Sequence, residues 1–268
     1  MEQVRTTGSL VPIAGVRIRG VPVMTAATFT SEAQEHLKQY LGRPGYIIPT
    51  GLGTKEAACS VAAINLAISS ELADHIPDCM SRVIGEWIIY VQDRMPSEMR
   101  NSERWKTALV YAPGTGRDHE YERFDMIVNW MWTTVLPSLQ PVIDKHDFGD
   151  QWRHMCEQRT EVDAREVHRA IFKKYTATNC PTGAYEAAYA AAYAGDVAKA
   201  AHDAADVART KVMGDINVNL FDVTAMASIL TNVNDASNDP NIWERLNPVG
   251  LFEHLVWYKA IGRVVYVE

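Results

Sequence analysis

The sequence predicts a mainly α-helical fold, a multi-helix bundle gathered round one alanine- and tyrosine-rich central helix, with a small β element made by the two ends. Three observations predict it. The core of residues 182–213, AYEAAYAAAYAGDVAKAAHDAADVA, is dominated by alanine, the residue of highest helix propensity. Apolar residues recur at helical intervals over 80–91 and 121–135. Short β-branched runs fall near the termini, while the regular strand-crossover pattern of a doubly wound sheet is missing.

Residues 8–24 mix β-branched residues with Gly15, Gly20 and two prolines, Pro12 and Pro22, which confine any strand to an edge. Ser31 and Gln34 read as the capping box of a first helix that stops at Gly42. Tyr46, Ile47 and Ile48 are extended, Pro49 to Thr54 turns, and a helix is expected from near Lys55. Pro77 ends an element and Asp78 is placed to cap the next, whose buried side carries Met80, Val83, Ile84, Trp87, Ile88 and Val91. Ser102 caps a helix bearing Trp105 and Leu109, which leads into the loop PGTGRD. An aromatic helix follows, interrupted at Pro137 and Pro141. Residues 149–175 read as one charged surface helix with a narrow apolar face. The central helix ends at Gly214, NVNLFDVTAMASILTN forms another, and Asp239 or Asn241 starts a short one that Pro248 separates from GLFEHLVWYKAIG. The terminal RVVYVE alternates as a strand does. The whole chain, 1–268, is read as a single mainly helical domain, with 1–24 and 263–268 as the candidate β element.

Composition bounds the function. The chain has 268 residues, 47% hydrophobic and 22% charged, enough to bury a large core. A net charge of -7 with no basic cluster argues against double-stranded nucleic acid as a partner. No run of about eighteen apolar residues is present, so no membrane span is expected. Cys59, Cys79, Cys156 and Cys180 are scattered without a C-x-x-C pair, and the N-terminus lacks the apolar stretch of a signal peptide. A cytoplasmic protein is the expectation.

The run CSVAAINLAISSELADHIPDCMSRVIGEWIIYVQD, then RNSERWKTALVYAPGTG and FDMIVNWMWTTVLPSLQP, resembles uncharacterised alanine-rich proteins of actinobacteria and their phages. In those, a cysteine begins a Val-Ile helix, a Gly-Thr loop follows, and an aromatic helix ends in proline. The resemblance covers residues 57–141 and the central helix. It implies a bacterial or phage setting and carries no activity with it.

Two loops have the form of an anion site. Gly51, Gly53, Thr54 and Lys55, and again Gly114, Thr115, Gly116 and Arg117, set glycines, a hydroxyl and a cation just ahead of an expected helix. Neither matches a Walker A loop, since Lys55 is followed by Glu56. The plainer reading makes Thr54 and Asp118 ordinary N-caps. Tyr185, Tyr189 and Tyr193 recur every four residues and share a helical face, which could stack a nucleobase or simply pack. His75 with Cys79, His154 with Cys156, and His202 with Asp206 are the candidate metal pairs, and only the last shares a helix face with certainty of spacing. They read more simply as surface and core residues, so no metal and no cofactor is expected. Cys79 is the one thiol placed near a helix start, though its apolar neighbours suit a buried residue better.

No catalytic motif stands out. The leading expectation is a helical binding or regulatory protein, homo-oligomeric, acting through a partner protein or a small ligand. The alternatives are a nucleotide- or phosphate-handling protein or enzyme that uses Lys55 and Arg117 on a phosphorylated small molecule, and a virion or other assembly component.

Overall fold

A computed structural model describes residues 29–175, 179–209 and 220–258, with the side chains of 200, 203–209 and 220–225 left aside. Among the described residues the chain is helical, without strands; two isolated β-bridges join Gly53 to Ala58 and Met80 to Pro113. The expected terminal β element and the helix stop at Gly214 lie outside the described residues.

Helix α1 spans Ser31–Leu41, and its cap is Thr30, whose hydroxyl accepts the Ala33 N–H. The N-cap is therefore Thr30, one residue before the expected Ser31, and with Ala33 at the third helical position there is no reciprocal capping box. Gly42 ends the helix as expected, its N–H donating to the Lys38 carbonyl. Helix α2, Ser60–Ser69, starts five residues later than the sequence suggested. The Thr54 hydroxyl accepts the N–H groups of Glu56 and Ala57, and the Tyr40 hydroxyl accepts that of Ala58, so this stretch closes a local turn first.

Helix α3, Arg82–Gln92, is capped by Ser81 and not by Asp78; the Ser81 hydroxyl accepts the Ile84 N–H. A short helix α4, Ser97–Arg100, precedes α5, Glu103–Tyr111, where Ser102 accepts the Trp105 N–H as expected. Helix α6, Glu120–Trp130, continues into a π-turn at Met131–Val135, a 3-10 turn at Leu136–Leu139 and helix α7, Gln140–Ile143. Proline chemistry explains the irregularity. Pro137 has no N–H for the Thr133 carbonyl four residues back. Pro141 has none for Pro137, whose carbonyl takes the Gln140 N–H instead.

The single surface helix expected over 149–175 is two helices, α8 at Gly149–Gln158 and α9 at Glu161–Lys174. Arg159 turns left-handed at φ 58°, and the Thr160 hydroxyl restarts the helix by accepting the Asp163 N–H. Neither is merely a surface element, because Trp152, Met155, Ala164, Val167 and Ile171 are all buried. The alanine-rich helix is α10, Thr182–Arg209. It is followed by α11 at Leu220–Ser237, α12 at Ile242–Leu246 and α13 at Pro248–Trp257. Asn247 caps α13, accepting the Gly250 N–H through its side chain.

Helix α10 packs chiefly against α9 and α11. Ala184, Ala187, Ala188, Ala190, Ala191 and Ala194 have no exposed surface, so methyl-sized side chains let the neighbours approach closely. Arg165 fixes α9 to α10 by pairing with Glu161 on its own helix and with Asp196 at 2.6 Å across the gap. Buried side chains from α1 to α13 form one contiguous cluster. No described helix is long and apolar enough to cross a membrane.

Gly195 sits inside α10 with ordinary helical backbone, and a methyl there would meet Arg165 Cγ at 3.4 Å and Ala164 Cβ at 3.5 Å, normal contact distances. Gly195→Ala is expected to raise stability by about 0.5–1 kcal/mol, the helix-interior penalty of glycine. Urea unfolding of the two proteins measures it; a loss would mean that the α9–α10 contact is already too tight.

Glu86 is buried on α3 with Arg82 Nε 3.7 Å away, and burial raises its carboxyl pKa more than Arg82 lowers it. The native state therefore binds that proton more tightly than the unfolded chain does. The corresponding stability is complete below the unfolded value, about 4.3, and is lost as pH rises through the folded one. Glu86→Gln, uncharged throughout, should be more stable than the parent at pH 7, with the difference closing toward about pH 4. Paired urea melts at the two pH values check the sign.

Candidate functional site

The first glycine loop is occupied by its own chain. The Gly51 N–H donates to the Asp93 carboxylate at 3.1 Å, and the Thr54 N–H donates to the Ala57 carbonyl. Tyr40 gives its hydroxyl proton to the Lys55 carbonyl, and Arg43 donates to that of Glu56. Lys55 itself is exposed, and the loop does not open directly onto a helix. Thr54 caps a turn, not α2.

The second loop clamps the start of α3. The N–H groups of Gly114 and Gly116 both donate to the Cys79 carbonyl, at 2.8 and 3.0 Å. The Thr115 hydroxyl accepts the Ser81 N–H and donates to the Ala112 carbonyl. Arg117 faces Asp78 at 3.5 Å on the surface. The positive end of α3 is already filled by a carboxylate of the protein, because Glu120 accepts the N–H groups of Arg82 and Val83. Asp118 does not cap α6; its carbonyl takes a bond from buried Arg123 at 2.6 Å.

The two loops are not brought together. One is tied to Asp93 at the C-terminal end of α3 and the other to Cys79 and Ser81 at its N-terminal end. The helix between them has 11 residues, a rise of about 16 Å at 1.5 Å per residue.

The tyrosines do converge on one feature. Tyr185, Tyr189 and Tyr193, with Glu186, form the α10 wall of a groove of about 370 Å³. Ser228, Thr231 and Asn232 form the α11 wall, at i, i+3 and i+4 spacing that turns them to one side. Arg94, just past α3, closes one edge. Its Nε donates to the Thr231 hydroxyl at 3.0 Å and its Nη1 to the Tyr90 carbonyl at 2.7 Å.

The three rings are half-buried. On one side Phe172 of α9 packs against Tyr185 and Tyr189, with centroids at 6.1 and 5.9 Å. Tyr185 and Tyr189 lie edge to face at 4.6 Å, and the Tyr185 hydroxyl donates to that of Tyr189 at 3.0 Å. This hydrogen bond raises the Tyr185 phenol pKa. Glu186 holds its proton more readily than an ordinary carboxylate, first because burial disfavours the charge and second because Asp235 stands near. The Asn232 side-chain nitrogen is buried and has no hydrogen-bond partner. Leaving such a donor unpaired costs about 1–3 kcal/mol.

A second groove, of about 360 Å³, follows the π-turn, with Asn129, Thr133 and Thr134 on one side and Arg245, Asn247 and His254 on the other. Sequence reading missed it. The available signal was the Pro137–Pro141 pair, which withdraws a backbone donor from Thr133. Arg245 there is paired with Asp239 at 2.7 Å.

Among the described residues no group of three or more His, Cys, Asp and Glu side chains stands together as a metal site. His202 lies exposed on α10, while the side chains of Asp203 and Asp206 lie outside the described residues. Burial raises the thiol of Cys79, against the weaker opposing effect of nearby backbone N–H groups, so it lacks the depressed pKa of an activated nucleophile. Cys156 is pushed up to about 12 by burial. Comparison with known protein families, with curated proteins and with solved structures gives no match to this chain.

Proposed function

We propose that this chain is a helical binding protein that takes a small, flat, polar molecule into the groove between α10 and α11. The observation that carries the reading is one groove with three tyrosines of α10 on one wall and the polar residues Ser228, Thr231 and Asn232 of α11 on the other. Ring faces supply area for a flat ligand, and the polar groups fix its orientation. The volume, about 370 Å³, lies at the lower end of the range for small-molecule sites. The phosphate-handling alternative loses its support, because both glycine loops spend backbone donors on the protein's own acceptors.

The test is a ligand screen by thermal shift and saturation-transfer NMR with indole, benzimidazole, adenine, uracil and hypoxanthine. At least one ring is expected to bind. Tyr189→Ala should weaken it about tenfold or more, the scale of one stacking contact. The double substitution Lys55→Ala with Arg117→Ala should leave binding unchanged. If no compound binds, or binding survives Tyr189→Ala and fails in the double variant, the groove is the wrong site.

A further inference from the structure

The tyrosine groove is lined by one acid and one base, and these narrow its ligand on the footing that the groove is the binding site. Glu186, on the α10 wall, has no hydrogen-bond or ion-pair partner among the described residues. Arg94, at the edge, has no carboxylate partner among them. Its Nε and Nη1 are committed to the Thr231 hydroxyl and the Tyr90 carbonyl, which holds the guanidinium in place and leaves the Nη2 hydrogens uncommitted. Two opposite charges therefore line one groove without neutralising each other.

Helix register sets them at nearly one level. A methyl on Gly183 would lie 3.9 Å from the Ala236 carbonyl oxygen, so the start of α10 meets the end of α11. From there the groove residues run forward along α10 to Tyr193 and backward along α11 to Ser228, as antiparallel helices require. Glu186, three residues beyond Gly183, falls opposite Val233. Thr231, which anchors Arg94 at 3.0 Å, is two residues further, a rise of about 3 Å.

A ligand that satisfies both walls carries an anion and a cation close together. Its anionic group answers the free Arg94 nitrogen as a charge-assisted acceptor. Its cationic group answers Glu186, whose ionisation burial and the nearby Asp235 disfavour and a ligand ammonium restores. Tyrosine faces add attraction for that ammonium and area for a flat group.

We infer that the groove binds a free aromatic α-amino acid. Arg94 Nη2 donates to the ligand carboxylate, the Glu186 carboxylate accepts from the ligand ammonium, and Tyr185, Tyr189 and Tyr193 cover the flat side chain. Both ligand charges sit on one carbon, which suits two protein groups at one level of the groove.

The test uses the full chain in isothermal titration with tryptophan, leucine, indole, tryptamine, which lacks the carboxylate, and indole-3-propionate, which lacks the ammonium. Tryptophan should bind at least tenfold more tightly than either single-charge analogue, and than leucine, which keeps both charges without a ring. Arg94→Gln should bring tryptophan down to the affinity of tryptamine without weakening tryptamine. Glu186→Gln should bring it down to that of indole-3-propionate without weakening indole-3-propionate. A variant that only deforms the groove weakens every ligand alike, so this pattern separates direct contact from lost shape.

Equal affinity for tryptophan and either analogue, equal affinity for leucine, or a variant that weakens its matching analogue as much as tryptophan overturns the amino-acid assignment. If the rings bind and Tyr189→Ala weakens them, but the two charges add nothing, this inference falls and the groove stands. If none of these compounds binds, both fall.

Discussion

Arg123→Ala is expected to cost about 3–5 kcal/mol of stability, the range for removing one partner from a buried charged network. Arg123 lies on α6 with almost no exposed surface. Its Nε donates to the Leu255 carbonyl at 3.1 Å, Nη1 to that of Asp118 at 2.6 Å and Nη2 to that of Thr115 at 3.4 Å. Leu255 belongs to the last turn of α13, where carbonyls have no partner within the helix and the dipole favours a cation. One guanidinium thus joins α6, the Gly114–Arg117 loop and α13. Burial lowers its pKa, while Glu120, 3.9 Å away, opposes that shift.

Truncation to alanine removes the donor to three carbonyls and the cation beside Glu120, which keeps its bonds from the Arg82 and Val83 N–H groups. For a chain of this size, each kcal/mol moves the melting temperature by roughly 2–4 °C, so a fall on the order of 10 °C is expected. Arg123→Lys keeps the charge but lacks the planar fork, and should lie between the two. Urea unfolding followed by circular dichroism reads all three. A loss under about 1 kcal/mol, the scale of an exposed pair, would show that water replaces the guanidinium without strain.

Why Arg123 is illegible in the sequence while Arg117 stands out follows from what local pattern reports. Glycine, hydroxyl and cation adjacent in sequence suggest an anion cradle, yet the acceptors that consume those glycine N–H groups, Asp93 and the Cys79 carbonyl, come from elsewhere in the chain. Long-range hydrogen bonds leave no periodic trace. Helix identity was legible wherever spacing and caps are local, as at Ser102, Gly42 and Pro248. The break at Arg159 was not, because a left-handed non-glycine residue has no strong composition signal. The start of α2 shifted for a tertiary reason, since the Tyr40 hydroxyl holds Lys55 and Ala58 in a turn. For the candidate groove, the four-residue tyrosine repeat marks the residues that line one wall. The opposite wall needs α10 and α11 to be docked, so Asn232 and Arg94 had no reason to stand out.

Trp105→Ala is expected to have a comparable effect, about 3–5 kcal/mol, the cost of deleting a buried indole together with the cavity left behind. Trp105 has no exposed surface, and its ring packs on Phe252 of α13 with centroids 4.4 Å apart. Its Nε1 donates to the Ser60 hydroxyl at 3.3 Å, at the first turn of α2. The Ser60 N–H is in turn accepted by Gln92 of α3 at 3.1 Å. One side chain on α5 therefore spaces α2 and α13. Volume and hydrogen bond can be separated. Trp105→Phe removes the donor and part of the volume, and Ser60→Ala leaves the indole N–H without its acceptor at a cost of about 1–3 kcal/mol. In the double variant Trp105→Phe with Ser60→Ala no polar partner is stranded, so it should lose less than the sum of the two single changes. Strict additivity in urea melts would mean that the indole acts through packing alone and that Ser60 finds another partner.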